Sequence, residues 1–274
     1  YSLSALFEKS FHFGLDLAAS YTFGHSKSVY DGTSSVAYSN WKYNYAVDSN
    51  NPGLAYSMFD IPHRVMVSVG YRTPRYAKGF MATTVSLVYN GYVGQRYSLT
   101  MNESYYDAEK KKTVYIDYNG DGWGGNSLLY IPTEDELQKM DFKTEEDRRK
   151  FNEWIEGDSY AKKHRGAYAM RNSNSAPWEN RVDLHVAQDI FVLKDRGSKF
   201  QVTFDVTNFA NMLNKKWGTT YTAAYNVMPL QVIGSKKGED GNYTNTYAYN
   251  SRNTITKNDV LSRWHAQIGF KYIF

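Results

Sequence analysis

The sequence predicts an all-β protein of one kind, a transmembrane antiparallel β-barrel, of which this chain supplies the last seven strands. Three observations carry the prediction. Apolar and polar residues alternate with period 2 over unusually long runs, the mark of a strand with one face in apolar surroundings. The connections between these runs alternate strictly between short and long. And the chain is rich in aromatic residues while remaining polar on average.

Composition narrows the classes first. Of 274 residues 42% are hydrophobic, with 25 Tyr, 14 Phe and 6 Trp, yet the mean hydropathy is -0.61. No run approaches the roughly 18 to 20 apolar residues a membrane helix needs, which excludes an α-helical membrane protein. Cys is absent, so disulfides, thiolate metal sites and thiol nucleophiles are excluded. The net charge of +4, from 32 basic and 28 acidic residues, is spread along the chain and gives no nucleic-acid footprint. Tyr1 enters the alternating pattern without a charged and apolar leader, so either a signal has been removed or the chain is a fragment.

The strands follow in order. Leu3, Ala5 and Phe7 mark the first. Residues 11–24 carry the second, with Phe11, Phe13, Leu15, Leu17, Ala19, Tyr21 and Phe23 at odd positions. Val65 to Tyr71, Thr83 to Tyr89, Val182 to Val186, Phe200 to Val206 and Trp264 to Phe274 give the other five. Several runs reach about 10 to 14 residues, against about 5 to 6 for globular strands and about 9 to 11 for a tilted membrane strand. Short turns are expected at Lys9–Ser10, Thr73–Gly79 and Lys194–Ser198. Long connections are expected at about 25–62, 94–178 and 214–261, and bacterial barrels place such long loops outside and short turns in the periplasm. That orientation puts the C-terminus on the periplasmic side. Phe11, Phe13, Phe80, Phe191, Phe200, Tyr272 and Phe274 near the turns, and Tyr21, Phe23, Tyr89, Tyr92, Trp178 and Trp264 near the loops, read as interfacial girdles in contact with outer-membrane lipid. His12, Asp16, Asp183, His185, Asp189, Asp205 and His265 fall on the opposite, lumenal face. Seven strands left open would expose two edges in hydrocarbon, so further strands are expected upstream.

The final segment SRWHAQIGFKYIF, with Phe270, Tyr272 and Phe274 at its end, resembles the insertion signal of outer-membrane barrels, which implies the barrel assembly machinery as a partner. NRVDLHVAQDIFV and FQVTFDVTNFANMLN resemble the closing strands of TonB-dependent transporters, with Asp205, Val206, Asn208 and Asn211 at the places of the usual motif. NSLLYIPTEDEL and RGAYAMRNSNSAPWENRVDL resemble the Oar-like, carboxypeptidase-regulatory-like Bacteroidetes branch, a relative of SusC-type importers. The resemblance implies a 22-stranded barrel with a plug, driven through the TonB complex, and admits a surface lipoprotein as partner. Plug and TonB box both fall outside these residues.

The long connections hold the remaining signals. Asp117, Asn119 and Asp121 with Gly122 have the spacing that opens a calcium loop, without the Glu at the twelfth place, and the same residues fit an Asn-Gly and Asp-Gly hairpin turn. Thr133 with Glu136 forms a capping-box pattern, and 144–154 reads as a second short helix. Leu137, Met140, Phe151, Trp154 and Ile155 supply an apolar stripe for packing on the loop itself or for binding a partner. Trp41, Tyr43, Tyr45, Tyr97, Tyr105, Tyr106, Trp123, Trp217, Tyr221 and Tyr225 are rigid amphipathic rings suited to ligand contact, or to holding the loops together. Asp and His pairs on the lumenal face come without a Ser elbow, an HExxH or a phosphate loop, so no enzyme is expected. Three functions follow: energy-coupled uptake of a ligand, anchoring of a surface partner, and passive diffusion.

Overall fold

A computed structural model describes residues 1–192, 198–239, 241–250 and 255–274. The seven alternating runs form one sheet: β1 (Ser2–Ser10), β2 (Leu15–Gly24), β3 (His63–Arg72), β4 (Met81–Tyr92), β5 (Glu179–Phe191), β6 (Lys199–Thr207) and β7 (His265–Ile273). Neighbours in sequence are neighbours in space, and every pair is antiparallel. Register keeps the apolar parity intact across the sheet. Leu17 lies opposite Val69, Val69 opposite Leu87, Leu87 opposite Leu184, Leu184 opposite Val206, and Val206 opposite Ala266. A slip of one residue at any pair would turn that strand's apolar set to the other face.

Polar residues on this apolar face lie at its two margins, and several are partnered there. Near the short turns, Gln188 Oε1 accepts from Tyr76 at 2.9 Å and Thr83 at 2.8 Å. At the other margin Asn180 Oδ1 accepts from Tyr89 at 2.8 Å and Trp178 at 3.1 Å, and Tyr21 meets His63 at 2.8 Å. Asn180 and Gln188 stand eight residues apart on β5, which at about 3.3 Å per residue and a tilt of about 40° spans roughly 20 Å of depth, close to the roughly 25 Å apolar band of barrels.

Five expectations at the strand ends are corrected. Lys9 and Ser10 still pair with Leu17 and Asp16 as the end of β1, so the turn expected there falls at residues 11–14, which are not the start of β2: Phe11 N–H donates to Leu15 O at 2.8 Å, and Gly14 has φ +94°. A Cβ at Gly14 would lie 2.2 Å from Arg72 O, so only glycine lets the turn pass β3, and His12 sits in this turn and not on a lumenal strand face. Phe191 belongs to the inner face, opposite Lys199, with the Arg75 guanidinium 3.8 Å over its ring. Tyr92 has inner-face parity as well and donates to Glu179 at 2.9 Å. Most of the expected Lys194–Ser198 turn lies outside the described residues.

The long connections, 25–62, 93–178 and 208–264, fold on one another. Residues 96–102 pair in parallel with 226–237, which pair antiparallel with 243–249, and Asp141–Phe142 and Asn174–Ser175 complete a second, five-stranded sheet. α2 (Glu134–Lys139) has its capping box, with Glu136 N–H on the Thr133 hydroxyl, and α3 (Glu145–Gly157) is capped by Thr144. Leu137, Phe151 and Ile155 are fully buried, with Met140 and Trp154 packed beside them. The hydrophobic core lies wholly within residues 97–255 and takes nothing from the seven-stranded sheet. Leu3, Phe7, Leu87, Phe204, Ile268 and Phe270 stay exposed on that sheet, as a surface solvated by lipid would be. No helix among the described residues is long and apolar enough to cross a membrane.

Candidate functional site

A cleft of about 370 Å³ opens where all three long connections meet. The first supplies Asp31, Asn40, Tyr43, Asn44, Tyr45 and Met58, the second Arg171 and Asn172, and the third Tyr225. Local structure fixes these groups. α1 (Ala37–Lys42) is stapled to the preceding loop by Asn40, which accepts from Ser34 N–H at 3.0 Å and donates to Ser34 O at 2.7 Å. The chain then turns Tyr43 and Tyr45 toward the cleft.

Its floor is a closed polar network. Arg171, 4% exposed, donates to Asn44 Oδ1 and Ser28 O at 2.5 Å each, and lies 3.5 Å from Asp31. Asn172, with φ 55°, donates to Asp31 Oδ2 at 3.0 Å and Tyr56 O at 2.8 Å. Burial lowers the Arg171 guanidinium from its ordinary value, and Asp31 and Tyr30 oppose the shift. The Asp31 pairing leaves the floor close to neutral, so the cleft offers rings and hydroxyls and not net charge. Tyr45 is pushed up to about 12 by burial and by the nearby Tyr225.

A second cluster ties the first connection to the second beside the rim of the sheet. Asp60, with its side chain almost fully buried, accepts from Arg96 Nη2 at 2.7 Å, Ser26 N–H at 2.6 Å and His25 at 3.2 Å. Burial raises this carboxyl, but the hydrogen bonds from Ser26, Arg96 and His25 outweigh it and hold it below its ordinary value. Buried Glu103 accepts from the N–H groups of Tyr118, Gly125 and Ser127, and burial raises its carboxyl.

The calcium-spaced residues are occupied by protein. Asp117 accepts from Asp121 N–H at 3.1 Å and Gly122 N–H at 2.7 Å, and Asp121 accepts from Ser49 at 2.6 Å, Asn126 at 2.7 Å and Trp123 N–H at 2.7 Å. Asn119 donates to Asn126 at 2.9 Å. Among the described residues no group of three acidic, His or Cys side chains is placed to hold a metal. The run is a tight bend with positive φ at Gly120 and Gly122, and the hairpin beside it is the pairing of 104–107 with 112–115, which turns before this run begins.

Of the aromatic candidates, the cleft gathers Tyr43, Tyr45 and Tyr225. Beside it, Lys42 Nζ lies 3.3 Å over the Trp123 ring, and Trp41 stacks on Tyr38. Tyr97 is buried in the loop core and Tyr105 packs against it. Tyr106 is exposed on a hairpin. Trp217 and Tyr221 stand apart, near the exit of β6. Sequence reasoning did not single out Arg171, Asn172 or Asp31, although Arg171 and Asn172 lie in the phrase quoted for its family resemblance. Phe270, Tyr272 and Phe274 are exposed with lipid-face parity, Phe200 packing on Tyr272 at 4.9 Å.

Residues 1–263 match the family model of an outer membrane beta barrel domain. The chain belongs to that family. The barrel domain is therefore an outer-membrane protein, and its lipid-facing parity is the apolar face traced above. No curated protein and no solved structure matches it. In this barrel domain one inner-face carboxylate is closely paired: Asp189, 2% exposed, receives Arg72 at 2.8 Å, Lys199 at 2.7 Å and Gln201 at 2.8 Å, and on the same face His185 meets Asp205 at 2.5 Å.

Proposed function

We propose that this barrel domain is the C-terminal part of an energy-coupled, TonB-dependent importer whose long connections face outward and capture a ligand in the three-connection cleft. One observation supports the reading most: the cleft draws residues from all three connections onto one neutral, ring-lined floor. A passive pore has no need of such a pocket, whereas an importer must hold its ligand before gating. The volume lies in the range of small-molecule sites, about 300 to 1,000 Å³. A plug on the rest of the polypeptide would gate passage.

The test compares the small molecules left in the medium by wild-type cells, cells lacking this protein and cells lacking TonB. A compound consumed by the wild type and left by both deletion strains is expected. Consumption that needs this protein and not TonB would reject energy coupling in favour of a passive pore. Tyr45→Ala with Tyr225→Ala should slow consumption of the same compound while the folded barrel stays at its normal level. A second reading, a barrel that anchors a surface lipoprotein, draws on the independent core of the connections, which exceeds what a pocket alone requires. A stoichiometric partner retained in mild detergent would favour it.

A further inference from the structure

Where β6 leaves the sheet and β7 enters it, two short helices meet, α4 (Phe209–Leu213) and α5 (Asp259–Ser262). One buried side chain ties them. Asn208 donates through Nδ2 to Gly218 O and to Ser262 O, each at 2.8 Å, and its N–H donates to Asp183 at 2.7 Å. Asn211 donates to Trp217 O at 2.8 Å and Lys215 O at 3.3 Å, and Lys257 Nζ reaches the same Lys215 O at 3.3 Å. Gly218 has φ +58°, and a Cβ there would fall 1.9 Å from Asn208 Oδ1, so the segment passes the clamp only as glycine. Gly218 and Ser262 are therefore held side by side, with residues 215–217 and 263–264 next to them in the chain.

The resulting ledge is apolar and cationic together. Leu213, Trp217, Leu261 and Trp264 are exposed. Lys215, Lys216 and Arg263 are exposed as well, and among the described residues their side chains have no hydrogen-bonded or ionic partner. Of the acids near it among the described residues, Asp259 lies 3.6 Å from Lys257, and Asp183 accepts from the Asn208 N–H on the inner side of the sheet. Trp264 continues the parity of Ala266, Ile268 and Phe270, so at this residue the ledge joins the lipid-facing surface. Rings at the headgroup level with cations just beyond them fit a lipid whose acyl chains end at a phosphate.

We propose that this ledge seats the phosphate groups of the outer-leaflet glycolipid, with Lys215, Lys216 and Arg263 on the phosphates and the two Trp rings against the acyl-chain boundary. The assignment to the outer leaflet rests on the outward orientation of the long connections proposed above. Asn208 and Asn211 are positioning residues that act through the loop they hold.

Native mass spectrometry of the full-length protein, purified in mild detergent and titrated with bisphosphorylated lipid A, dephosphorylated lipid A or phosphatidylglycerol, tests this. Retention of bisphosphorylated lipid A is expected, weakening about fivefold for each cation removed in Lys215→Gln, Lys216→Gln and Arg263→Gln. Asp259→Asn should strengthen it. Replacing Lys110, Lys111 and Lys112 by Gln removes the same charge from an exposed hairpin and should leave it unchanged. Heat-modifiable mobility reports folding of each variant, and Arg263→Gln alone serves if the triple variant does not fold. Equal retention by wild type and a folded ledge variant, equal retention of the dephosphorylated lipid, or an equal loss in the hairpin control would overturn the proposal. Preference for phosphatidylglycerol that still depends on the three cations would overturn the outer-leaflet assignment and the orientation beneath it, leaving the phosphate contacts standing.

Discussion

At the scale of single residues, buried polar side chains hold this molecule's connections in place. Asn208 combines a left-handed backbone with two side-chain donations, so Asn208→Ala loses both and gains strain, a cost of roughly 2 to 4 kcal/mol. Asn208→Gly keeps the backbone and loses only the bonds, so it should fall between Ala and the wild type in urea titrations of the purified barrel. Asp60 makes a pH prediction. Its folded carboxyl ionises more readily than its unfolded one, so its contribution is complete above the ordinary value of 3.8 and is lost as pH falls through the lower folded value. Acid titration followed by tryptophan fluorescence should show the connections loosening below about pH 4. Asp60→Asn should remove that acid step and lower stability at neutral pH, because buried Arg96 is left without its partner, a loss of about 3 to 5 kcal/mol.

At the scale of elements, what lipid or local chain geometry imposes was legible in the sequence. All seven strands stand where period-2 alternation put them, because one face meets hydrocarbon and the other does not. The capping box at Thr133 and Glu136 was equally plain, since it needs only four consecutive residues. Turn limits were harder. Phe11 and Phe13 continue the aromatic alternation into residues that are no longer a strand, and only Gly14 betrays the turn. The five-stranded sheet was hidden because 96–102 meets 226–237 across more than a hundred residues, a pairing no local pattern encodes. For the same reason the cleft was legible only in part: Tyr43, Tyr45 and Tyr225 could be named, but not that Arg171 would close their floor. Facing is testable at this scale. Leu184→Arg, at mid-band between Leu87 and Val206, should cost roughly 2 to 4 kcal/mol. Asp183→Asn should be far milder, since an amide oxygen can still accept from the Asn208 N–H. Refolding yields into lipid vesicles separate the two.

At the scale of the whole molecule two surfaces obey opposite rules. The seven-stranded sheet exposes its apolar side chains on one face and carries its acidic side chains on the other, while the connections bury a core of their own and present polar groups and rings outward. Both follow from the solvent each part meets. The central claim is that the parity of Val182, Leu184 and Val186 faces lipid, and the chain contains no Cys, so single cysteines can carry spin labels there without background. Labels at residues 181 to 186 of the full-length protein in vesicles should alternate along β5. Positions 182, 184 and 186 should be accessible to dissolved oxygen and shielded from a water-soluble nickel chelate, with 183 and 185 showing the reverse. Accessibility that does not alternate, or that alternates with the opposite phase, would contradict the account.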